Sequence, residues 1–542
     1  MPEILTTALP HLSPHDSHQV YNGLDSGITL EVWLRLREEL DQKILSVNYK
    51  TEEDYLNALK WQEGARINYS FERAMQGPAL AMMRRGILVD QYYRWEVIAQ
   101  LEARISKVQD ILNEFSCAVW GKPLNANSHH QLKIFFYEVM KLPEQTSYVK
   151  GQRRTSINRD ALEKLSIYFH AEPICNTIIR LRDLGKKVSV LRTEVDGDSR
   201  MRTSYNVAGP ETGRWSSSSN VYGGGTNLQN ITEELRRIFI ADQGYKLAYI
   251  DLSQAESRCL AFLCFTLFGA HRYLDACESG DLHTLAATLI WPGMGWQQGD
   301  KEHDRKLAEQ EFYRGFSYRD MAKRGGHASN YYGKPFTISR HLKVPQQLIE
   351  SFQSSYFAAF PELREYHRWC ANRLQLTGQI STPLLTTRHF FGRVNDDSTL
   401  REAIAHVPQH MVGVLLNLAL WRVWHSFGTG PTARVQILAQ VHDAILLQYR
   451  EEEEESVLGE ILPLMATPLT FAKRTMVIPS DILVGWNWAK YYDEGKAEED
   501  ARRGRKPKPL NLDGLKGKRL GGPDTRTRRE DPSARGLDRL IP

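Results

Sequence analysis

The chain has 542 residues, of which 42% are hydrophobic and 25% charged, and a formal net charge of +4. That length exceeds what one hydrophobic core usually supports, so several subdomains are expected, and the composition is that of an ordinary globular protein rather than a fibrous or disordered one. The mild positive charge permits a nucleic-acid partner without suggesting one.

Taken in chain order, MPEILTTALPHLSPHDSHQ lacks both the basic start and the apolar core of a secretory signal. Residues 20–200 read mainly as helix, over Ile28–Val47, Val97–Phe115, Gln131–Leu142, Ala161–Ile167 and Pro173–Val188, each with apolar side chains three and four apart. Between Arg200 and Asn230 the texture turns to Gly, Ser, Thr and Asn, which predicts turns and short strands. A β-prone stretch, Tyr245–Ile250, ends at Asp251 and gives way to a helical pattern, Gln254–Phe268. Helix dominates again to about Trp424, and Val435–Tyr449 reads as strand, turn, strand with His442 and Asp443 near the turn. After Glu494 the chain is rich in Arg, Lys, Gly, Asp and Pro and reads as a disordered basic tail. The longest apolar run, Cys259–Ala270, is too short to span a bilayer. Cys117, Cys175, Cys259, Cys264, Cys277 and Cys370 form no CxxC pair, so neither a zinc site nor a disulfide framework is indicated. A cytoplasmic protein with no membrane partner is the expectation.

Two carboxylates on rigid supports are what a two-metal phosphoryl-transfer site requires, with ions about 3.5–4 Å apart. An acid ending one strand and another at the hairpin turn of a neighbouring strand would meet that need. Asp251 and Asp443 have these local contexts. Taken bare, an Asp after a strand is more often a helix cap or turn residue than a metal ligand.

The surrounding residues carry more. DLSQAESR (251–258) and AQVHDAILL (439–447) resemble the first and last palm motifs of DNA polymerase family A, the bacterial DNA polymerase I family. RDMAKRGGHASNYYG (319–333) is similar to its fingers-helix motif, TGRWSSSSN (212–220) and NLQNI (227–231) to its template-primer segment, and VGWNW (484–488) to the close of its palm. These matches fall in the family's order.

The resemblance implies an α+β right-hand fold with a helical thumb (76–205), an antiparallel-sheet palm (206–275 and 391–495) and mostly helical fingers (276–390). It implies two Mg2+ ions ligated by Asp251, Asp443 and the Leu252 carbonyl. Arg319 and Lys323 would bind the incoming deoxynucleoside triphosphate, Lys323 also protonating the departing pyrophosphate. His283, His327, Tyr331 and Gln254 would line the nucleotide, and Glu256 would be the steric gate against ribonucleotides. Primer-template DNA would meet Arg214, Arg237, Gln229, Asn230, Gln409, His410, Gln440 and His442. By spacing alone, Arg319, Lys323 and His327 at i, i+4, i+8 form one helical stripe with roughly 6 Å of rise between neighbours, which could line a triphosphate but is more usually a solvated basic face. Ser317 stands where a helix cap is needed.

Departures are also visible. His327 stands where bacterial members carry Phe or Tyr, Tyr332 where Gly is common, and Ala444 where an acid often follows the last palm aspartate. His327 followed by Asn-Tyr is similar to phage members. Gly325 and Gly326 each cost about 1 kcal/mol of helix propensity, which predicts local flexibility. Gly293–Gln310 reads as an insertion without a function. His406 and His410, four apart, form a candidate metal pair that lacks a third ligand.

YNGLD (21–25) resembles the last motif of the family's 3′–5′ exonuclease, and no earlier DxE pattern precedes it. Residues 1–75 are therefore expected to be a vestigial exonuclease-like segment or part of a split enzyme, with a separate exonuclease or processivity protein as partner, and 496–542 the tail. The rival readings are a single-subunit RNA polymerase, against which Glu256 argues, and a non-catalytic DNA-binding relative, against which retention of Asp251, Asp443, Arg319 and Lys323 argues.

Overall fold

A computed structural model describes residues 28–36, 38, 52–149, 152–219, 224–297, 300–384, 386–428, 430 and 432–489. The YNGLD motif and the basic tail lie outside the described residues. The chain divides into two compact units, residues 1–74 with 367–407, and residues 75–366 with 408–542.

In the first unit, the Trp33 indole N–H donates to the Tyr69 hydroxyl at 2.8 Å. A short antiparallel hairpin pairs Gln379–Ser381 with Thr387–His389. Arg388 lies over the Phe390 ring, 4.6 Å away, and donates to Glu402 at 3.0 Å.

The second unit carries the site. Its centre is a four-stranded antiparallel sheet made of β1 (Tyr245–Leu252), β2 (Val435–Val441), β3 (Ala444–Arg450) and β4 (Ser480–Gly485), in the order β2-β3-β1-β4. Every residue of β2 and all but the last of β3 are buried, so the sheet is covered on both faces. That explains why these strands read as continuous apolar runs rather than as an alternation. Trp488, fully buried just beyond β4, packs edge-on against Phe239 and beneath the guanidinium of Arg236.

Helix α1 (Ala255–Phe268) leaves β1 through a two-residue turn and, after its polar first turn, is apolar but for Thr266. The helices beyond it include α2 (Leu282–Ile290), α3 (Lys301–Ala308) and α4 (Tyr318–Asn330). Helix α4 is amphipathic, burying Met321, Ala322, Gly325, Gly326, Ser329 and Asn330 while exposing Lys323 and His327. Its partner is α5 (Gln346–Ala359). A Cβ on Gly325 would lie 2.7 Å from the Phe352 ring, and one on Gly326 would lie 3.2 Å from the Tyr356 ring. The two glycines read in the sequence as points of flexibility are thus places of close packing.

The helices predicted at Val97–Phe115 and Pro173–Val188 are present as Gln91–Trp120 and Glu172–Leu191 and share one core, while of the predicted Ile28–Val47 only 28–36 and 38 lie within the described residues, as helix. The expected helix over Gln131–Leu142 instead begins as one α-turn and continues as a π-helix, Ile134–Val139. Helix α6 (Asp397–Phe427) is, among the described residues, the one helix long and apolar enough to cross a bilayer, and 78% of that stretch is buried inside the protein, as in a core helix.

Candidate active site

Strand register brings the two aspartates together. Asp251 on β1 is the cross-strand partner of Ala444 on β3, and Asp443 immediately precedes Ala444. The Leu252 amide donates to the Asp443 carbonyl at 3.0 Å, closing the ladder at that end. Asp443 sits in a two-residue turn between Val441 and Ala444, which pair directly. The preceding His442 is exposed and has φ +55°, while Gln254, just after β1, has φ +53°. Left-handed backbone costs a non-glycine residue roughly 1–2 kcal/mol. Two such residues flank the carboxylates.

Arg214 links this pair to helix α1. Its guanidinium donates to Asp443 at 3.2 Å and, at closer range, to Glu256. The other Glu256 oxygen accepts from the Tyr331 hydroxyl at 2.5 Å, and His327 Nε2 stands 3.9 Å from it. Glu256 therefore faces a basic and aromatic cluster rather than open solvent. Burial holds the Asp443 carboxyl above its ordinary range, opposed by Arg214 and assisted by Glu256. Burial and Glu256 push the Tyr331 hydroxyl well up, so it stays a donor.

Arg214 is aimed by its backbone. Gly213, at φ +71°, lies so close to α6 that a Cβ would stand 2.9 Å from His410 Nδ1. The Thr212 carbonyl faces that nitrogen at 3.3 Å, and Asn417 donates to the Gly213 carbonyl at 3.3 Å. His410 is buried and Gln409 half-buried beside it, and burial holds the His410 ring below the ordinary histidine pKa.

Gln229 and Gln440, expected at DNA, are both buried, and the Gln229 amide donates to Gln440 at 2.6 Å. Gln440 in turn donates to the His442 carbonyl at 2.9 Å. This pair supports the turn that carries Asp443. Asn230 is exposed, and Arg237 is half-buried with its guanidinium 4.9 Å from the Tyr93 ring centre.

The cationic stripe lies on α4, whose start is capped by Ser317 accepting from the Asp320 amide at 2.9 Å. Lys323 and His327 are exposed. Arg319 is held bidentately by Asp281, Nε to Oδ2 and Nη2 to Oδ1, both 3.1 Å. Asp281 also caps α2, accepting from the Thr284 amide and hydroxyl. Burial works to raise its pKa, but Arg319 and Thr284 bring it down to about 2. Burial, with Arg319 and Lys323 nearby, lowers His283 to about 4, so its ring is neutral near pH 7. Sequence reasoning missed Asp281. The signal for it was an acid directly before a helix, three residues ahead of a threonine. Tyr332, where Gly is common, has φ +59°, the backbone a glycine would favour.

The donors at Asp251, Asp443 and the Leu252 carbonyl are all oxygens, the set that hard divalent cations choose. No group of three or more His, Cys, Asp or Glu poised for a metal occurs among the described residues. Two carboxylates suffice for Mg2+, which takes its remaining ligands from water and substrate phosphate. The buried Gln254 Oε1, beside this cluster, has no hydrogen-bond donor in the protein, and a buried acceptor of that kind calls for a bound donor.

The family model for DNA polymerase family A matches residues 95–490. The chain belongs to DNA polymerase family A. Among curated members, thermostable DNA polymerase I of Thermus thermophilus is 26% identical over 430 residues, covering 74% of this chain and 46% of that protein. DNA polymerase I of Chloroflexus aurantiacus is 27% identical over 433 residues, 74% of this chain and 41% of the relative. The chain thus spans less than half the length of the curated family A members it matches. The polymerase domain of Pol1 from M. smegmatis, solved with DNA primer-template and dNTP, superposes with a TM-score of 0.63 at 23% identity, over 83% of this chain and 78% of that one. The fold is accordingly the mixed helix-and-sheet fold of a family A polymerase.

Proposed function

We propose that the chain is a template-directed DNA polymerase that adds deoxynucleotides to a primer 3′-hydroxyl. The observation that carries this reading is the junction of Asp251 and Asp443 across the β1–β3 ladder, faced by Arg214 and Glu256. In this reading the central sheet is the palm, α2 to α5 belong to the fingers, and the N-terminal helices form the thumb. Primer-template DNA and deoxynucleoside triphosphates are the partners.

Asp251, Asp443 and the Leu252 carbonyl would hold two Mg2+ ions. Bound there, the ions supply a lowered pKa at the primer hydroxyl and neutralise charge at the phosphoryl group. The protein's own residues do the rest. Arg319 clamps the triphosphate as a bidentate donor, Lys323 sets a point charge beside it and gives a proton to the departing pyrophosphate, and His283 donates as a neutral ring. Glu256, fixed by Arg214 and Tyr331, presents a wall at the sugar 2′ position. Arg214 reaches the primer end, and its Nε, buried and without a partner in the protein, is a donor in reserve. Asn230 and Arg237 face the duplex, and Gln229, Gln440, His442, Gln409 and His410 shape the ground beneath it.

The His327-Ala-Ser-Asn-Tyr sequence supports a phage or mobile-element replication enzyme acting in the host cytoplasm. The test is primer extension on a defined template with Mg2+ and deoxy- or ribonucleotides, beside Asp443→Ala. Extension with deoxynucleotides that the variant lacks supports the reading. A wild type that binds duplex but adds nothing contradicts it.

A further inference from the structure

The described part of the insertion Gly293–Gln310, residues 293–297 and 300–310, extends the α2–α4 region. The Trp291 ring, just before it, packs against Phe312 and Tyr318, just after it, at 5.2 and 4.9 Å between ring centres. Within it, Asp300 caps α3 by accepting from the amides of Glu302 and His303. Lys301 donates to the Ser279 carbonyl at 3.2 Å, the Gln297 amide donates to Asp304 at 2.7 Å, and Ala308 is fully buried. These contacts dock α3 beside the start of α2.

They also deliver one cation to a particular place. Arg305 Nη1 stands 3.8 Å from Asp281 Oδ2, the carboxylate that holds Arg319 bidentately. One acid is thus shared by two arginines, one from α4 and one from the insertion. The second partner of Arg305 is Glu309, 3.1 Å away at the end of α3 and half exposed. An exposed pair of that kind is weak, so Arg305 can exchange it for a better anion at little cost. Arg319 and Lys323 both act on the nearby His283, so Arg305 joins a neighbourhood that already holds two cations.

We propose that Arg305 is a further phosphate-contacting residue, a cation supplied by the insertion that binds the polyphosphate of the incoming nucleotide alongside Arg319 and Lys323. The ligand class is a magnesium-complexed triphosphate or the pyrophosphate derived from it. This rests on the polymerase reading for the identity of the nucleotide, but not for the binding of the phosphate chain.

The experiment is calorimetric titration of the full chain with Mg·dATP and with magnesium tripolyphosphate, comparing wild type, Arg305→Gln and Arg305→Lys. Arg305 is exposed enough that these variants are expected to fold, and thermal melting checks it. The expected result is a roughly 10-fold weaker affinity for both ligands in Arg305→Gln, the worth of one charge-assisted hydrogen bond, partial recovery in Arg305→Lys, and an unchanged Kd for primer-template. Equal affinities in wild type and Arg305→Gln overturn the proposal, as does a wild type that binds neither ligand. A wild type that binds tripolyphosphate in an Arg305-dependent manner yet extends no primer sinks the polymerase reading and leaves this one standing.

Discussion

The strand end that carries the two aspartates and the helix that carries Arg319 are both polar sites, but they are held in opposite ways. At the aspartates, position comes mainly from backbone, through the Leu252–Asp443 ladder bond and the left-handed His442 and Gln254, with the Gln229–Gln440 side-chain pair propping the turn from beneath. At Arg319, position comes from side chains, with Asp281 as a counter-ion that an incoming anion can rival. The first arrangement fixes geometry before anything binds. The second keeps cations ordered but exchangeable.

Removing one element from each side separates the two. If Asp251 holds metal as proposed, Asp251→Asn is expected to lower kcat by about 10³-fold or more, with the primer-template Kd nearly unchanged, because a carboxylate that bridged two ions would have no substitute there. Arg319→Ala is expected to raise the KM for deoxynucleotide by roughly 10- to 100-fold with a smaller effect on kcat, since it removes the bidentate phosphate donor that the proposed function assigns to it. Steady-state kinetics on both variants checks this, and the comparison breaks if Arg319→Ala acts on kcat alone.

Smaller effects concern the supports. Gly325→Ala gains about 1 kcal/mol of helix propensity but drives a methyl into Phe352, an overpacking worth about 1–3 kcal/mol. A net loss of up to about 2 kcal/mol in denaturant melts is expected, whereas simple flexibility at that glycine predicts a gain of about 1 kcal/mol. His283 gives the most specific signature, confined to one pH window. Its folded pKa, about 4, lies below the ordinary 6.5, so the unfolded chain binds the extra proton between those values. Its contribution is fully present above about pH 6.5 and is lost as pH falls toward 4. His283→Gln should flatten the stability–pH curve in that window by about 1–3 kcal/mol, and an unchanged curve would place the ring in open solvent.

Much of this was legible in the sequence where the determinants are local. Tyr245–Ile250 forms a strand and Val435–Tyr449 a hairpin with Asp443 at its turn, because strong apolar runs bracket a polar pair. The stripe of Arg319, Lys323 and His327 with its Ser317 cap follows from spacing alone. What local pattern could not carry were the pairings made by folding. Arg214 with Glu256 and Asp443, Tyr331 with Glu256, and Asp281 with Arg319 each join residues far apart in the chain. The glycines of α4 were misjudged for the same reason, since Phe352 and Tyr356 arrive from another helix. The insertion's helix did carry a local signal, Asp300 before a run of helix formers, that its odd composition masked.

The central claim is that Asp251 and Asp443 serve template-directed synthesis, and single-nucleotide addition to a primer opposite each of the four template bases tests it most directly. The account predicts that the wild-type chain with Mg2+ adds only the complementary deoxynucleotide in each case, and that Asp443→Asn adds none. Addition that ignores the template base, or that persists in Asp443→Asn, would contradict it.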